Sequence, residues 1–272
     1  MAGPFPTPSP LASPSPFPLP SPTATPAATP VPIKTSILDG KITDTTIVGT
    51  LDIIANLEKG SNHDTVHALV IHQTGSSTAE STLSAWKKNK DEGAHFLIDT
   101  NGHVTQTARL NQMTWNTGAI ASRCMTDGTC TARTSDESKI LYAKGQLYGT
   151  RVKNLHDFEK VKTYPARYPT NDDSIAIELV GSCDSKSTDI PKGEKCGYLA
   201  PTGEQNAALT KLVNFLKTSC SLTDADIYRH PTVSAKNATE AKGADWNYVA
   251  PSVTPTPSVT PSPTPTATTT KP

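Results

Sequence analysis

Two histidines and a handful of carboxylates at the ends of apolar runs are the residues of this chain best placed to do chemistry. VHALVIHQT, from Val66 to Thr74, is an apolar run whose last members turn polar. Side chains in a strand alternate, so Leu69 and Ile71 share one face while Ala68, Val70 and His72 share the other. His72 then stands where a buried strand meets a loop. A neutral imidazole there can ligate a divalent cation, or can be a core histidine whose nitrogens are satisfied. In DSIAIELVG, Ile175, Ile177 and Leu179 alternate with Ala176, Glu178 and Val180. An ionised carboxylate on such a strand is costly without a partner, so Glu178 needs a cation, a proton or water, unless its strand lies at a surface edge. RHPTVSAKNATEAKGADW is a polar loop carrying His230, Lys236, Glu240 and Asp245. A catalytic zinc takes three protein ligands and leaves its fourth position to water, and His72, His230 and one acid of this loop meet that count. Spacing alone does not single them out, because His63, His67, His95, His103 and His156 are also present.

These residues need a scaffold, and the surrounding patterns supply one. A strand-like piece from Thr46 to Ile54 is expected to cover a sheet edge. Ser77 and Glu80 match the S-x-x-E capping box of a helix that runs through Leu83 and Trp86 and ends near Asp91 to Gly93. AHFLIDTNGHVTQTA reads as two strands joined at Asn101-Gly102, a hairpin signal. From Ala119 to Asn171 the pattern dissolves into a long polar insertion, expected to be irregular and stapled or functional. In PTGEQNAALTKLVNFLKTSC, Thr202 and Gln205 form a second capping box, and Ala208, Leu209, Leu212, Val213 and Leu216 make a core-facing stripe. Strands interleaved with helices, plus a hairpin, predict an α/β domain with a mixed central β-sheet flanked by helices.

Composition divides the chain in three. Of 24 prolines, twelve lie in residues 1–33 and seven in residues 251–272, and these two stretches carry a single charged residue, Lys271. Such Pro, Ser, Thr and Ala segments lack the apolar surface to offset chain entropy and are expected to be disordered tails, leaving residues 34–250 as one domain. With 25 basic and 25 acidic residues there is no basic face for nucleic acid. No run of eighteen apolar residues exists, so no membrane span is expected. Prolines interrupt the N-terminus throughout, and a standard secretory signal is not visible. Nothing calls for more than a monomer.

Cys124 and Cys130 bracket one short loop, Cys183 and Cys196 another, and Cys220 falls in the predicted final helix. Two local disulfides with Cys220 free are expected, which would place the protein in an oxidising compartment. Paired C-x-x-C spacings of a zinc finger are absent.

VIHQT, GAHFLIDTNGHVTQTA, TWNTG, SIAIELVG, PTGEQNAAL and IYRHPTVSAKNATEA occur in an order and with a character that resemble the zinc-dependent N-acetylmuramoyl-L-alanine amidases, which share a fold with the peptidoglycan recognition proteins. The resemblance spans about residues 63 to 246. It implies a sheet flanked by helices, a zinc ion in an open groove, and hydrolysis of the amide between N-acetylmuramic acid and the L-alanine of a bacterial peptidoglycan stem, in the cell envelope or outside the cell. By position it implies His72 and His230 as zinc ligands. The family's third ligand is a Cys, His or Asp eight to ten positions on, where this chain has Glu240, with Asp245 as the substitute. Glu178 matches the glutamate that moves the proton, although Ala176 replaces a glycine. Lys236 resembles the lysine that stabilises the oxyanion. Where the family usually has Trp-His-x-Gly, this chain has Trp115, Asn116, Thr117 and Gly118, which alters a position associated with substrate contact. Trp115 would stack on a sugar or fill the core. The alternative that the resemblance allows is a recognition module that holds muropeptide without cutting it.

Overall fold

The computed structural model describes residues 36–60, 65–88, 92–141 and 148–249. The two tails and Asp91, where the expected helix end begins, lie outside the described residues, and Glu92 and Gly93 are not helical.

Nine strands form. β1 (Ile37–Leu38) and β2 (Lys41–Ile42) make a small antiparallel pair. The others are β3 (Thr50–Leu51), β4 (Ala68–Gly75), β5 (Phe96–Ile98), β6 (Val104–Gln106), β7 (Ser174–Asp184), β8 (Gly197–Tyr198) and β9 (Ile227–Arg229). They build one mixed sheet in the order β3-β6-β5-β7-β4-β9, with β8 paired to the far part of β7. β5 and β6 are the antiparallel hairpin, closed by a five-residue loop in which Gly102 takes φ +81° and donates its N–H to Asp99 O. The centre, β5-β7-β4-β9, is parallel throughout.

Parallel central strands are buried on both faces, and alternation decides which side chain goes where. On one face Leu69, Ile71, Phe96, Ile98, Ile175, Ile177 and Leu179 pack beneath Leu209, Leu212, Val213 and Leu216 of the long helix Gly203–Cys220. Thr202 and Gln205 cap that helix reciprocally. The opposite face carries two separate apolar clusters. Ala176, Val180 and Leu97 meet Trp86 and Leu57, while Ala68, Val70 and Tyr228 meet Ile120, Tyr168 and Val233. Between these clusters the face turns polar.

Helix α1 spans Ala79–Lys88 and brings Trp86 to the first cluster. Its cap differs from the expected Ser77 and Glu80. Thr78 Oγ1 accepts the Ser81 N–H, and the Thr78 carbonyl accepts that of Thr82. In TGSSTAES a hydroxyl residue is available at three consecutive positions, so a shift of one residue costs little. The insertion is also less irregular than expected. It folds into α2 (Arg123–Asp127), α3 (Ala132–Leu141) and α4 (Tyr148–Glu159). Of their described side chains only Glu159 is buried, and their sequences keep no sustained apolar stripe, which is why periodicity did not reveal them. Disulfides join Cys124 to Cys130 and Cys183 to Cys196, and Cys220, in the long helix α5 (Gly203–Cys220), is free. A final short helix, α6 (His230–Val233), follows β9 directly.

Candidate metal centre and groove

The polar strip of the sheet's second face lies toward the carboxyl ends of β4 and β9 and midway along β7, on the side where open α/β sheets place their ligands. His72 on β4 and Glu178 on β7 are partners in register. β9 pairs with β4 up to Ile71↔Arg229, so His230, the next residue, emerges alongside His72. Three neighbouring strands thus deliver Glu178, His72 and His230 to one level.

Glu240 arrives from the following loop. Arg229, at the end of β9, holds that loop by donating to Ala241 O at 2.9 Å and to Ala244 O at 2.6 Å. Ala241 takes φ +52°, a left-handed turn that swings Glu240 back over the strand ends. Asp245, the substitute candidate, is exposed and its carboxylate accepts from Asn247 N, away from the histidines.

His72, His230 and Glu240 are all buried, and among the described residues they are the group of three that could hold a metal ion. His72 Nδ1 and His230 Nδ1 are 2.9 Å apart, His230 Nδ1 and Glu240 Oε1 2.9 Å, and His72 Nδ1 and Glu240 Oε1 3.6 Å. His230 Nε2 faces the Thr117 carbonyl at 3.2 Å, which can only accept, so the proton of a neutral ring sits on Nε2. Its Nδ1 lone pair then points at another nitrogen and at a carboxylate oxygen. Three converging lone pairs repel one another unless a proton or a cation sits between them. Metal arms of about 2.0–2.2 Å in a tetrahedron give ligand-to-ligand edges of about 3.3–3.6 Å. The 3.6 Å edge meets that range and the two 2.9 Å edges fall about 0.4 Å short of it, so the donor set fits such an ion after a small outward turn of the side chains.

Electrostatics agree. Burial first, then the neighbouring His230, pushes His72 down to about 4, which keeps its ring neutral with a lone pair to give. Burial would raise Glu240, but its contacts with His230 and His72 outweigh it and bring it to about 2. Glu178 is reachable from the groove along one side, yet its carboxyl is lodged deep enough that burial, reinforced by the Glu240 charge and opposed by Lys236, pushes it up to about 8.

A groove of about 610 Å³ opens over these residues. Lys236 lines it, exposed, and has no hydrogen bond or ion pair with any described residue. Trp115 lines it with 44% of its surface exposed and Lys59 Nζ 4.5 Å from its ring centroid, so it is not a core residue. Asn116 donates to Thr114 O at 3.0 Å, leaving its Oδ1 buried without a partner. Asn171 organises this wall, accepting at Oδ1 from the N–H groups of Asn116 and Thr117 and from the Thr117 hydroxyl.

Asn171, Tyr198 and Asn237 line the groove and escaped the sequence reading, as did Gln73 behind it. Only Gln73 left a trace, a polar residue on the otherwise apolar face of β4. Four other histidines serve elsewhere: His67 pairs with Asp173, His95 is a core ring bonded to Gln112 O and Ala176 N, His103 meets Thr50, and His156 accepts from Ile120 N.

A family model described as N-acetylmuramoyl-L-alanine amidase matches residues 62–244. Among solved structures, a selenomethionine AmpD derivative is 16% identical, covering 77% of this chain and 94% of its own, with a TM-score of 0.44. The catalytic domain of XlyA is 18% identical over 69% of this chain and 86% of its own, with a TM-score of 0.38. Drosophila peptidoglycan recognition protein SD is 16% identical over 70% and 83%, with a TM-score of 0.35. No curated protein matches.

Proposed function

This chain belongs to the N-acetylmuramoyl-L-alanine amidase family, and we propose that it hydrolyses the amide between the lactyl group of N-acetylmuramic acid and the L-alanine of the peptidoglycan stem, with residues 34–250 as the catalytic unit. The observation that carries this reading is the convergence of three buried lone-pair donors, His72, His230 and Glu240, with Glu178 in the lining of one groove. His72, His230 and Glu240 would hold zinc. Bound there, zinc supplies a Lewis acid that acidifies water and polarises a carbonyl.

The remaining work belongs to side chains. Glu178 takes a proton from the attacking water and returns it to the nitrogen of the departing L-alanine. Burial raises the proton affinity of this carboxyl and a neighbouring cation lowers it, a balance that suits a group that must both take and return a proton. Lys236 projects an ammonium into the groove, where it meets the negative charge that develops on the carbonyl oxygen. Trp115 offers a flat apolar face to a sugar ring, and the unpartnered Asn116 Oδ1 accepts from a substrate N–H or O–H. A monomer at work in the cell envelope or outside the cell accords with this substrate, and among the described residues no helix is long and apolar enough to cross a membrane.

The test is digestion of purified peptidoglycan with mass spectrometry of the products, alongside zinc content, for wild type, His72→Ala and Glu178→Ala. The wild type is expected to hold about one zinc per chain and to free intact stem peptides. His72→Ala should lose zinc, and Glu178→Ala should keep it and lose cleavage. A wild type that binds peptidoglycan and releases nothing makes the chain a recognition module instead.

A further inference from the structure

Glu240 sits in a loop without a strand of its own, and much of what fixes that loop comes from one neighbouring hairpin. β7 and β8 pair as Cys183↔Tyr198 and Asp184↔Gly197, and the Cys183–Cys196 disulfide closes them. From this hairpin the Cys196 carbonyl accepts from Asn237 Nδ2 at 2.8 Å, and the Tyr198 N–H donates to Thr239 Oγ1 at 2.9 Å. Asp189 pairs with Lys242 at 2.5 Å. The Leu199 carbonyl accepts from Gln73 Nε2 at 2.7 Å, and Gln73 Oε1 accepts the Ala241 N–H at 3.2 Å. These contacts bracket Glu240 on both sides. They also fix the Gln73 amide, since Leu199 O can only accept and Ala241 N–H can only donate.

Beyond its short ladder and a few local turn hydrogen bonds, such as Ser187 N–H to Asp184 O, the hairpin has little to hold its shape. No residue from 182 to 196 is buried, so apolar packing does not order the segment, and the crosslink adds the covalent limit on its wandering. Arg229 grips the same loop from β9 independently of the hairpin. Losing the hairpin would therefore loosen Glu240 and not release it.

We propose that the Cys183–Cys196 hairpin is a clamp on the metal centre, holding Glu240 in place through Asn237, Thr239 and Gln73, so that metal affinity depends on this disulfide. The clamp rests on the reading of His72, His230 and Glu240 as metal ligands. Asn237, Thr239 and Gln73 are positioning residues, and partners of this kind shift metal affinity by about 10- to 100-fold.

Full-length protein, stripped of metal, is titrated with zinc against a chelating dye. The set comprises wild type, Cys183→Ser/Cys196→Ser, Cys124→Ser/Cys130→Ser, and Asn237→Ala with both disulfides intact. Circular dichroism and the melting temperature of each metal-free form are recorded alongside. Zinc binding about 10- to 100-fold weaker is expected for the Cys183/Cys196 pair and for Asn237→Ala, with Asn237→Ala melting like the wild type and Cys124→Ser/Cys130→Ser binding as tightly as it. Should the Cys183/Cys196 variant fail to fold, the Cys124→Ser/Cys130→Ser variant is titrated before and after phosphine reduction, which then opens the Cys183–Cys196 bond alone, and unchanged affinity on reduction overturns the clamp. Wild-type affinity in a folded Cys183/Cys196 variant or in Asn237→Ala, or equal weakening in the Cys124/Cys130 variant, overturns the clamp and leaves the metal reading in place. A wild type that takes up no zinc overturns both.

Discussion

Replacing Glu178 by glutamine keeps the side chain's shape and removes its charge, which makes it a probe of how the groove treats that charge. In the metal-free protein burial and Glu240 raise Glu178 from 4.5 to about 8. Between those values the folded chain holds a proton that the unfolded chain has lost. Its contribution to stability is thus complete below about pH 4.5 and is lost as pH rises through about 8, at up to about 1.4 kcal/mol per pH unit. A shift of this size amounts to about 5 kcal/mol at most, and contact with the open groove reduces that to about 2–4 kcal/mol. Metal-free Glu178→Gln should therefore gain on the wild type steadily from pH 5 to pH 8.5, while groups common to both proteins cancel in the difference. Urea denaturation of both forms at half-unit pH steps measures it. With zinc present the gap should narrow, because a nearby cation favours the carboxylate. Parallel stability profiles across the whole range would refute the claim that the groove confines this carboxyl. In the zinc-loaded enzyme the same substitution should cut turnover by about 10²–10⁴-fold with zinc retained.

Other residues offer sharper local tests. A methyl group on Gly181 would come within 1.9 Å of Gln73 Nε2, so Gly181→Ala should displace that amide, cost about 1–3 kcal/mol in denaturant melts and weaken zinc binding. Lys236→Met keeps much of the stem and removes the charge, and a fall in kcat of about 10²–10³-fold with unchanged zinc content is expected, by analogy with loss of an oxyanion donor. Trp115→Ala should leave the melting temperature nearly unchanged and raise KM, whereas Trp86→Ala, in the buried cluster beneath α1, should cost about 3–5 kcal/mol. Equal effects of the two tryptophan changes on stability would contradict their assignment to wall and core.

What could be read from the chain alone follows from how local each signal is. β4, β7 and α5 announce themselves because their apolar residues keep strict periods of two or of three and four. His72 and Glu178 stand out as polar residues at regular places in those strands. The helices of the insertion keep no such period, since α3 and α4 lean on little core, and they looked irregular in consequence. Whether Thr78 or Ser77 would cap α1 turned on a one-residue choice among similar hydroxyls. Glu240 and Asp245 are both acids in one polar loop; the Ala241 turn and the grip of Arg229 separate them, and those are tertiary facts. The contacts that tie Gln73, Tyr198 and Asn237 to the site span more than forty residues, which no window along the sequence contains.

The level row formed by β7, β4 and β9 fixes what kinds of change this site can absorb. Adjacent strands stand about 4.8 Å apart and their side chains reverse face at every residue. Deleting one residue within β4 or β7 would turn His72 or Glu178 toward the helix-packed interior and abolish the site outright. Lengthening the connections between strands leaves that row intact. The long stretch between Trp115 and Ser174 is such a connection, and in it a groove wall can be rebuilt for a different ligand while the three chemical groups keep their places.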